Sequence, residues 1–381
     1  MPNTVAVDAR VSELKPMTLQ AVCCEPLVSI LIANFNYAKY VGQAIESVLQ
    51  QSYQNFEIIV CDDGSTDNSR DVIQRYVARD ARVILVGRAN GGQAAAWNAA
   101  YARSKGDIIC ILDSDDFFAP KKIEKVVQEF HMRPEAGFVA NALVRLDSRG
   151  RERGRYPLTG KLPRGWLGPE VAACGGLLRN QTCSSCISLR REVAARIFPI
   201  DVELKINADI ALNILGSLFA VTAAVDENLT FYRCHDNNAT NPGLKQPTLE
   251  GFVAARKRQE HLLRANYQTV SSRIRRQIPG FALNDLEGSW FIIENRYVLS
   301  KLAGEPREIQ LFWFRKLMSH PQTEASLSRY FYQVSWFLPP SILRAGLNGL
   351  FGQSGLKQFI AKVWPYRSKR IGRTFETSGE S

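Results

Sequence analysis

Five apolar residues, Ile108-Ile109-Cys110-Ile111-Leu112, run straight into Asp113-Ser114-Asp115-Asp116. Apolar at consecutive positions, the run needs cover on both faces, which is the mark of a buried parallel strand. The acids then fall at its carboxyl end, where open α/β sheets take their ligands. Packed together they repel one another. A divalent cation relieves that repulsion, because hard cations prefer carboxylate and phosphate oxygens. A solvated acidic turn ahead of a helix starting near Pro120 is the plainer alternative.

The preceding residues favour the first reading. Residues 27–32, 56–61 and 83–86 read as further strands. Between them lie helical faces: Val41, Ala44, Ile45, Val48 and Leu49 in one segment, then Val72, Ile73, Tyr76 and Val77 in the next. Ser65 or Thr66 is placed to cap that second helix. Asn90-Gly91-Gly92 turns into an alanine-rich helix reaching about residue 104, and a helix over 120–131 carries Pro in its first turn. This alternation predicts a parallel, doubly wound sheet. No GxGxxG follows the first strand and no GxxxxGK[ST] is present, so the common dinucleotide and P-loop readings fail. The polar strand ends are instead Asn34-Phe35-Asn36, Asp62-Asp63-Gly64 and the Asp113 cluster, expected to converge on one cleft. Each has a plainer reading: Asn34 and Asn36 as caps of the first helix, Asp63-Gly64 as an ordinary turn, Gly91 and Gly92 as turn glycines.

Beyond residue 137 the pattern is less regular. Strands are expected over 138–146, 184–189 and 229–233, a loop or hairpin over 147–165, and a helix over 207–218. Residues 248–302 read as helical with a break at Gly280. Residues 311–338 read as one aromatic-rich helical stretch ended by Pro339-Pro340, and 343–364 as amphipathic at best. The expected division is an irregular leader (1–26), an α/β domain (27–245), a helical C-terminal region (246–365) and a disordered basic tail (366–381).

The net charge of +11 is uneven: from Lys301 onward there are twelve Lys and Arg against five Glu. Anionic lipid or nucleic acid would each suit that excess, but no nucleic-acid motif accompanies it. Eight cysteines are scattered, and Cys183 and Cys186 form a CxxC with no second pair or histidine pair to complete a zinc site. Reduced thiols in a cytoplasm are expected. Asp8, Arg10, Glu13 and Lys15 interrupt any signal-peptide core, and no stretch approaches the ~18 apolar residues of a membrane span. The expected location is cytoplasmic, with peripheral contact at the inner face of a membrane as an option.

Five stretches together resemble a known family, the inverting family 2 glycosyltransferases of GT-A fold. They are residues 28–69 (VSILIANFNYAKY to CDDGSTDNS), 90–100 (NGGQAAAWNAA), 106–116 (GDIICILDSDD), 207–215 (NADIALNIL) and 232–238 (YRCHDNN). The resemblance implies a GT-A domain, a nucleotide-sugar donor, most simply a UDP-sugar, and Mn2+ or Mg2+. It implies that Asp63, with Asp62 beside it, contacts the base, that Ala33 and Phe35 line the base pocket, and that Gly92 approaches the donor. Asp113 and Asp115 resemble the DxD pair near ribose and metal-bound diphosphate, with Ser114 between them and Asp116 able to share the role. Asp209 resembles the catalytic base, with Asp201 and Glu203 as the nearest rivals. His235 resembles a position near diphosphate or metal, assisted by Arg233. Two positions depart from the family's habit: Trp97 stands where Arg is common, and Ala208 where Glu is common.

The function this implies is non-processive, inverting transfer of one sugar to a glycan or lipid-linked acceptor. The family's polymer synthases usually carry membrane helices and QxxRW, which this chain lacks. The alternatives are nucleotidyl transfer, which also uses carboxylate-bound metal, and a non-catalytic sugar-nucleotide sensor or membrane scaffold. Plainer readings remain beside these roles: Asp209 as an exposed helical acid, His235 as structural. The aromatic set Phe312, Trp313, Phe314, Tyr330, Phe331, Tyr332, Trp336 and Phe337 reads either as core or as contact with anionic lipid.

Overall fold

The computed structural model describes residues 14–157, 161–176, 178, 182–235, 238, 248–279, 281, 283–320 and 328–351. Residues 1–13 of the expected leader and all of the expected tail lie outside them. The N-terminal half is a βα alternation: β1 (Val28–Asn34), α1 (Ala38–Leu49), β2 (Phe56–Asp62), α2 (Ser69–Arg79), β3 (Val83–Gly87), α3 (Gln93–Arg103), β4 (Ile108–Asp113), the short β5 (Phe117–Phe118) and α4 (Lys122–Met132). Strands β3-β2-β1-β4 are neighbours in that order and all parallel. Their alternate side chains feed two separate cores, because successive residues of a strand point to opposite faces. Ile30, Ile32, Ile58, Val60, Cys110 and Leu112 pack against α1 and α4. Leu31, Ile59, Ile109 and Ile111 pack against α3 and later helices. A strand covered on both sides cannot alternate apolar with polar, hence the continuous apolar sequence.

The sheet continues through β6 (Ala136–Leu146), which forms a hairpin with β7 (Glu152–Tyr156). Next come β8 (Gly165–Trp166), α5 (Gly168–Ala173), β9 (Ile187–Arg190), α6 (Arg191–Ile197), α7 (Asp209–Phe219) and β10 (Val221–Arg233). β9 inserts antiparallel between β4 and β6, and β10 runs parallel to β6. A strand running the other way starts where its parallel neighbours end. The start of β9 therefore sits beside the carboxyl end of β4.

Among the described residues five α-helices follow: α8 (Leu249–Gln277), α9 (Trp290–Leu302), α10 (Arg307–Met318), α11 (Ser328–Ser335) and α12 (Pro340–Phe351). Thr248 caps α8 and Ser289 caps α9, each accepting a backbone N–H of the first turn. Val270 and Ile274 of α8 join the core beneath α7. Phe252, nearer its start, joins a third core with Trp290, Tyr297, Phe331 and Tyr332. Among the described residues no helix is long and apolar enough to cross a membrane.

The architecture is the expected mixed α/β fold with a mostly parallel central sheet and a helical C-terminal region. Local expectations differ in five places. Helix α2 starts after Asn68, and Ser65 and Thr66 serve the preceding turn instead of capping it. Helix α4 begins at Lys122, past Pro120. Residues 184–186 form a 3-10 turn and only 187–190 are strand. β10 begins eight residues before the expected 229, at Val221. The aromatic stretch is two helices, α10 and α11.

Candidate active site

The parallel register brings Asn34 opposite Asp62 and Ala33 opposite Asp113, so three strand ends lie at one level. Asn36 adopts a left-handed backbone (φ 58), which asparagine tolerates better than most residues. Its Oδ1 accepts from the N–H of Thr66 at 2.7 Å and of Asp67 at 3.3 Å. Asn34 Nδ2 donates to Ser65 Oγ at 3.2 Å. The two asparagines thus lash the β1 turn to the β2 turn; α1 has no side-chain cap. Asp62 Oδ1 accepts from Ser65 N at 2.9 Å. Ala33 is partly buried in β1, and Phe35 stands 43% exposed beyond its end.

Asp63 is buried, and its carboxylate is fully occupied within the protein. It accepts from Arg88 Nη1 at 2.7 Å, Gly91 N at 3.0 Å and Gly92 N at 2.7 Å. Gly92 sits at φ +89, and a Cβ there would lie 2.8 Å from Lys205 Cα. Only glycine fits both the torsion and the approach. The glycine turn therefore touches two things at once: the acid after β2, and the loop before α7.

The acid cluster follows β4. Asp116 is buried; its Oδ1 accepts from Arg233 N at 2.9 Å and its Oδ2 from Ser185 Oγ at 2.6 Å. Ser184 Oγ donates to Asp113 Oδ2, and Gln93 Nε2 lies 3.4 Å from Asp113 Oδ1. Asp115 Oδ2 accepts from His235 Nε2 at 2.9 Å and Asn238 Nδ2 at 3.2 Å. His235 is stacked on Tyr40 with ring centres 4.8 Å apart. Arg233 Nε donates to the Asp115 carbonyl, and its guanidinium lies over Tyr40 and Phe117. Ser114 is buried between the acids. Burial, then the neighbouring Asp115, pushes Asp113 up to about 7. Burial, then Asp115 and Asp113, lifts Asp116 well above the ordinary carboxylate range.

Asp209 opens α7, and burial pushes it up to about 6 against the pull of the backbone N–H groups of Asp209, Ile210 and Ser184. Its charge is felt at Asp113. Ser184 thus lies between the two acids, its hydroxyl on Asp113 and its backbone toward Asp209. Gln93 makes a second bridge, its Oε1 accepting from Ala208 N at 3.0 Å. The segment ahead of Asp209 is pinned from α8. Asn266 Nδ2 donates to the Ile206 carbonyl at 2.9 Å, and Arg273 donates to the carbonyls of Arg196, Ile197 and Pro199. Asp201 is paired with Arg276 at 3.2 Å and Arg273 at 3.5 Å, and Glu203 is exposed.

Carboxylate oxygens with one imidazole nitrogen make a donor set suited to Mn2+ or Mg2+. Asp113 and Asp116, raised by burial and then by the neighbouring carboxylates, belong to the kind of cluster a cation relieves. The residues fit the ion in kind and charge. Among the described residues, no group of three His, Cys, Asp or Glu side chains stands pre-arranged to hold a metal.

The sequence reading overlooked Arg88, Gln93, Ser184, Ser185 and Lys122. Arg88 follows a strand end and was open to the same argument as Asp63. Lys122, at the start of α4, is wholly buried, donating to Asn141 Oδ1 at 2.5 Å, the Ser185 carbonyl at 2.9 Å and Thr230 Oγ1 at 3.4 Å. Trp97 fills the core under α3, its Nε1 buried without a partner. Of the C-terminal aromatics, Phe331 and Tyr332 are core, whereas Phe312 (51%) and Phe337 (83%) are exposed. The Tyr330 side chain lies outside the described residues.

The family model for glycosyl transferase family 2 matches residues 29–198. An uncharacterized glycosyltransferase of Nostoc sp. is 35% identical over 216 residues, 55% of this chain and 66% of that protein. The chondroitin synthase of Pasteurella multocida is 42% identical over 105 residues, 28% of this chain and 11% of its own. The Escherichia coli protein named UDP-Glc:alpha-D-GlcNAc-diphosphoundecaprenol beta-1,3-glucosyltransferase WfaP is 32% identical over 58% of this chain and 82% of that one. These relatives define a class of sugar transferases, and the chain belongs to glycosyl transferase family 2. The matched stretch covers the strand-end acids and Ser184; Asp209, Arg233 and His235 lie past its end.

Proposed function

We propose that the chain is a metal-assisted, inverting, non-processive glycosyltransferase. It moves one sugar from a nucleotide-sugar, of the UDP class, to a hydroxyl of a glycan or lipid-linked acceptor. The observation that carries this reading is Ser184, which joins the acid at the end of β4 to the acid at the start of α7. A donor-side carboxylate and a second carboxylate, raised by its own burial, are thereby tied to one residue, which suits a displacement that needs a leaving-group side and a base.

On the donor side, the turn held by Asp63, Arg88 and Gly92 shapes the nucleotide end, with Ala33, Phe35 and Asp62 at its edge. Asp113, Asp115 and His235 would hold a divalent cation, which supplies positive charge to a departing diphosphate. Asp209 takes the proton of the attacking hydroxyl. Burial that lifts it to about 6 leaves it ionised at neutral pH yet a better base than an exposed acid. WfaP is named for a UDP-sugar donor and a diphosphoundecaprenol acceptor, which supports those two classes here. A place at an anionic membrane surface agrees with exposed Phe312 and Phe337 and with Lys316 over the Phe312 ring.

The test is thermal. UDP with Mn2+ should raise the melting temperature, UDP with chelator much less, because ligand binding to the folded state shifts unfolding. Asp115→Ala should lose the metal-dependent part. Equal shifts in mutant and wild type would overturn the donor site.

A further inference from the structure

Two sulfurs flank the serines that hold the acids. Cys183 is the N-cap of the 3-10 turn Ser184–Cys186, and its Sγ donates to Cys186 Sγ at 3.8 Å. Cys183 is partly exposed and Cys186 is wholly buried. Lys122 lies on the inner side of this turn, hydrogen-bonded to the Ser185 carbonyl and to two other uncharged oxygens. Cys186 is the acid whose charge bears most strongly on that buried ammonium. Burial pushes the Cys186 thiol up, but the Cys183 hydrogen bond and Lys122 bring it down to about 6. A thiolate is the form that attacks sulfur.

We propose that Cys183 and Cys186 are a redox modification site, a dithiol that a low-molecular-weight disulfide closes into an intramolecular bridge, displacing the serines that orient Asp113 and Asp116. Cys183 is the accessible sulfur, but its hydrogen bond to Cys186, then burial, hold its thiol well above the ordinary range; it passes its proton along that bond to Cys186 Sγ as it attacks one sulfur of the small disulfide, and the first small thiolate leaves and takes up that proton. Cys186 then attacks Cys183 Sγ and expels the second. Two protein thiols and one small disulfide become one protein disulfide and two small thiols. The bonded distance is about 2.05 Å, so the sulfurs must approach by roughly 1.7 Å from where they stand. The residues between them are Ser184 and Ser185, whose hydroxyls hold Asp113 and Asp116. The turn cannot tighten without moving those bonds. The effect on donor binding rests on the donor-site reading above; formation of the bridge does not.

The experiment uses the full chain with Cys23→Ser and Cys24→Ser, which removes the exposed thiols. It is equilibrated in glutathione redox buffers, alkylated, digested and weighed, and Mn2+-dependent UDP binding is measured by calorimetry. The expected result is a peptide two hydrogens lighter, unalkylated at both Cys183 and Cys186, with UDP affinity at least tenfold weaker and restored by dithiothreitol. Cys183→Ser should bind UDP and ignore glutathione disulfide. Both thiols alkylated under excess glutathione disulfide, or a bridge with less than a tenfold change in affinity, would overturn the proposal. A reduced chain that fails to bind UDP would sink the donor site instead, and the peptide mass would still decide the modification.

Discussion

Asp209 holds its proton until about pH 6, against an ordinary 3.8, because burial penalises its charge. The folded state therefore binds this proton more tightly than the unfolded chain. Its stability contribution is fully present below about 3.8 and is lost as pH rises through about 6. Asp209→Asn should remove that loss, stabilising the protein by about 1–2 kcal/mol at pH 7.5. It should also cut turnover ~10²–10⁴-fold with Mn2+-dependent UDP binding unchanged. Urea melts at pH 4 and 7.5 with steady-state rates check both; near wild-type turnover would move the base elsewhere. Lys122→Met keeps the length and removes the buried ammonium, leaving the Ser185 carbonyl without one of its donors beside three crowded acids. A loss of about 2–4 kcal/mol is expected, and a melt within 0.5 kcal/mol of wild type would deny Lys122 that role. The acids were legible in the sequence because carboxylates after apolar runs stand out. Lys122 and Gln93 were not, since nothing in a lysine or glutamine at a helix start tells which way its side chain turns.

At the level of elements, the βα alternation was readable because each buried strand is continuously apolar and each helix shows one apolar face. What escaped was the mixed half of the sheet. Val221 to Asn228 contains Asp226 and Glu227, which look like loop residues, yet β10 carries them where its register against β6 slips. Ser184 and Ser185 were out of reach for a related reason: only an antiparallel β9 delivers its first residues to the active end of a parallel sheet. The glycine turn at the start of α3 links these parts. Gly92→Ala forces a left-handed torsion on alanine and drives its Cβ into Lys205. A cost of about 1–3 kcal/mol is expected, together with weaker UDP binding, because Asp63 loses its grip on the Gly92 N–H. Unaltered UDP affinity in a folded Gly92→Ala would separate that turn from the donor.

For the molecule as a whole, the C-terminal helices show one face to the core and another to solvent, with Phe337 exposed and Lys316 lying over the exposed Phe312 ring. Vesicles containing anionic lipid should co-sediment the chain at low salt and release it at high salt, and Phe312→Ser with Phe337→Ser should weaken the interaction severalfold. Failure to sediment at low salt would leave those rings without a lipid role. The same helical region reaches the chemistry through Arg273, whose guanidinium meets the carbonyls of Arg196, Ile197 and Pro199 on the approach to Asp209. A clamp that grips main-chain oxygens is indifferent to the side chains they belong to. The clamp asks nothing of the side chains of residues 196–199; the core asks for Ile197 and Phe198, which are buried in it, and the identity the clamp itself needs is written elsewhere, on α8.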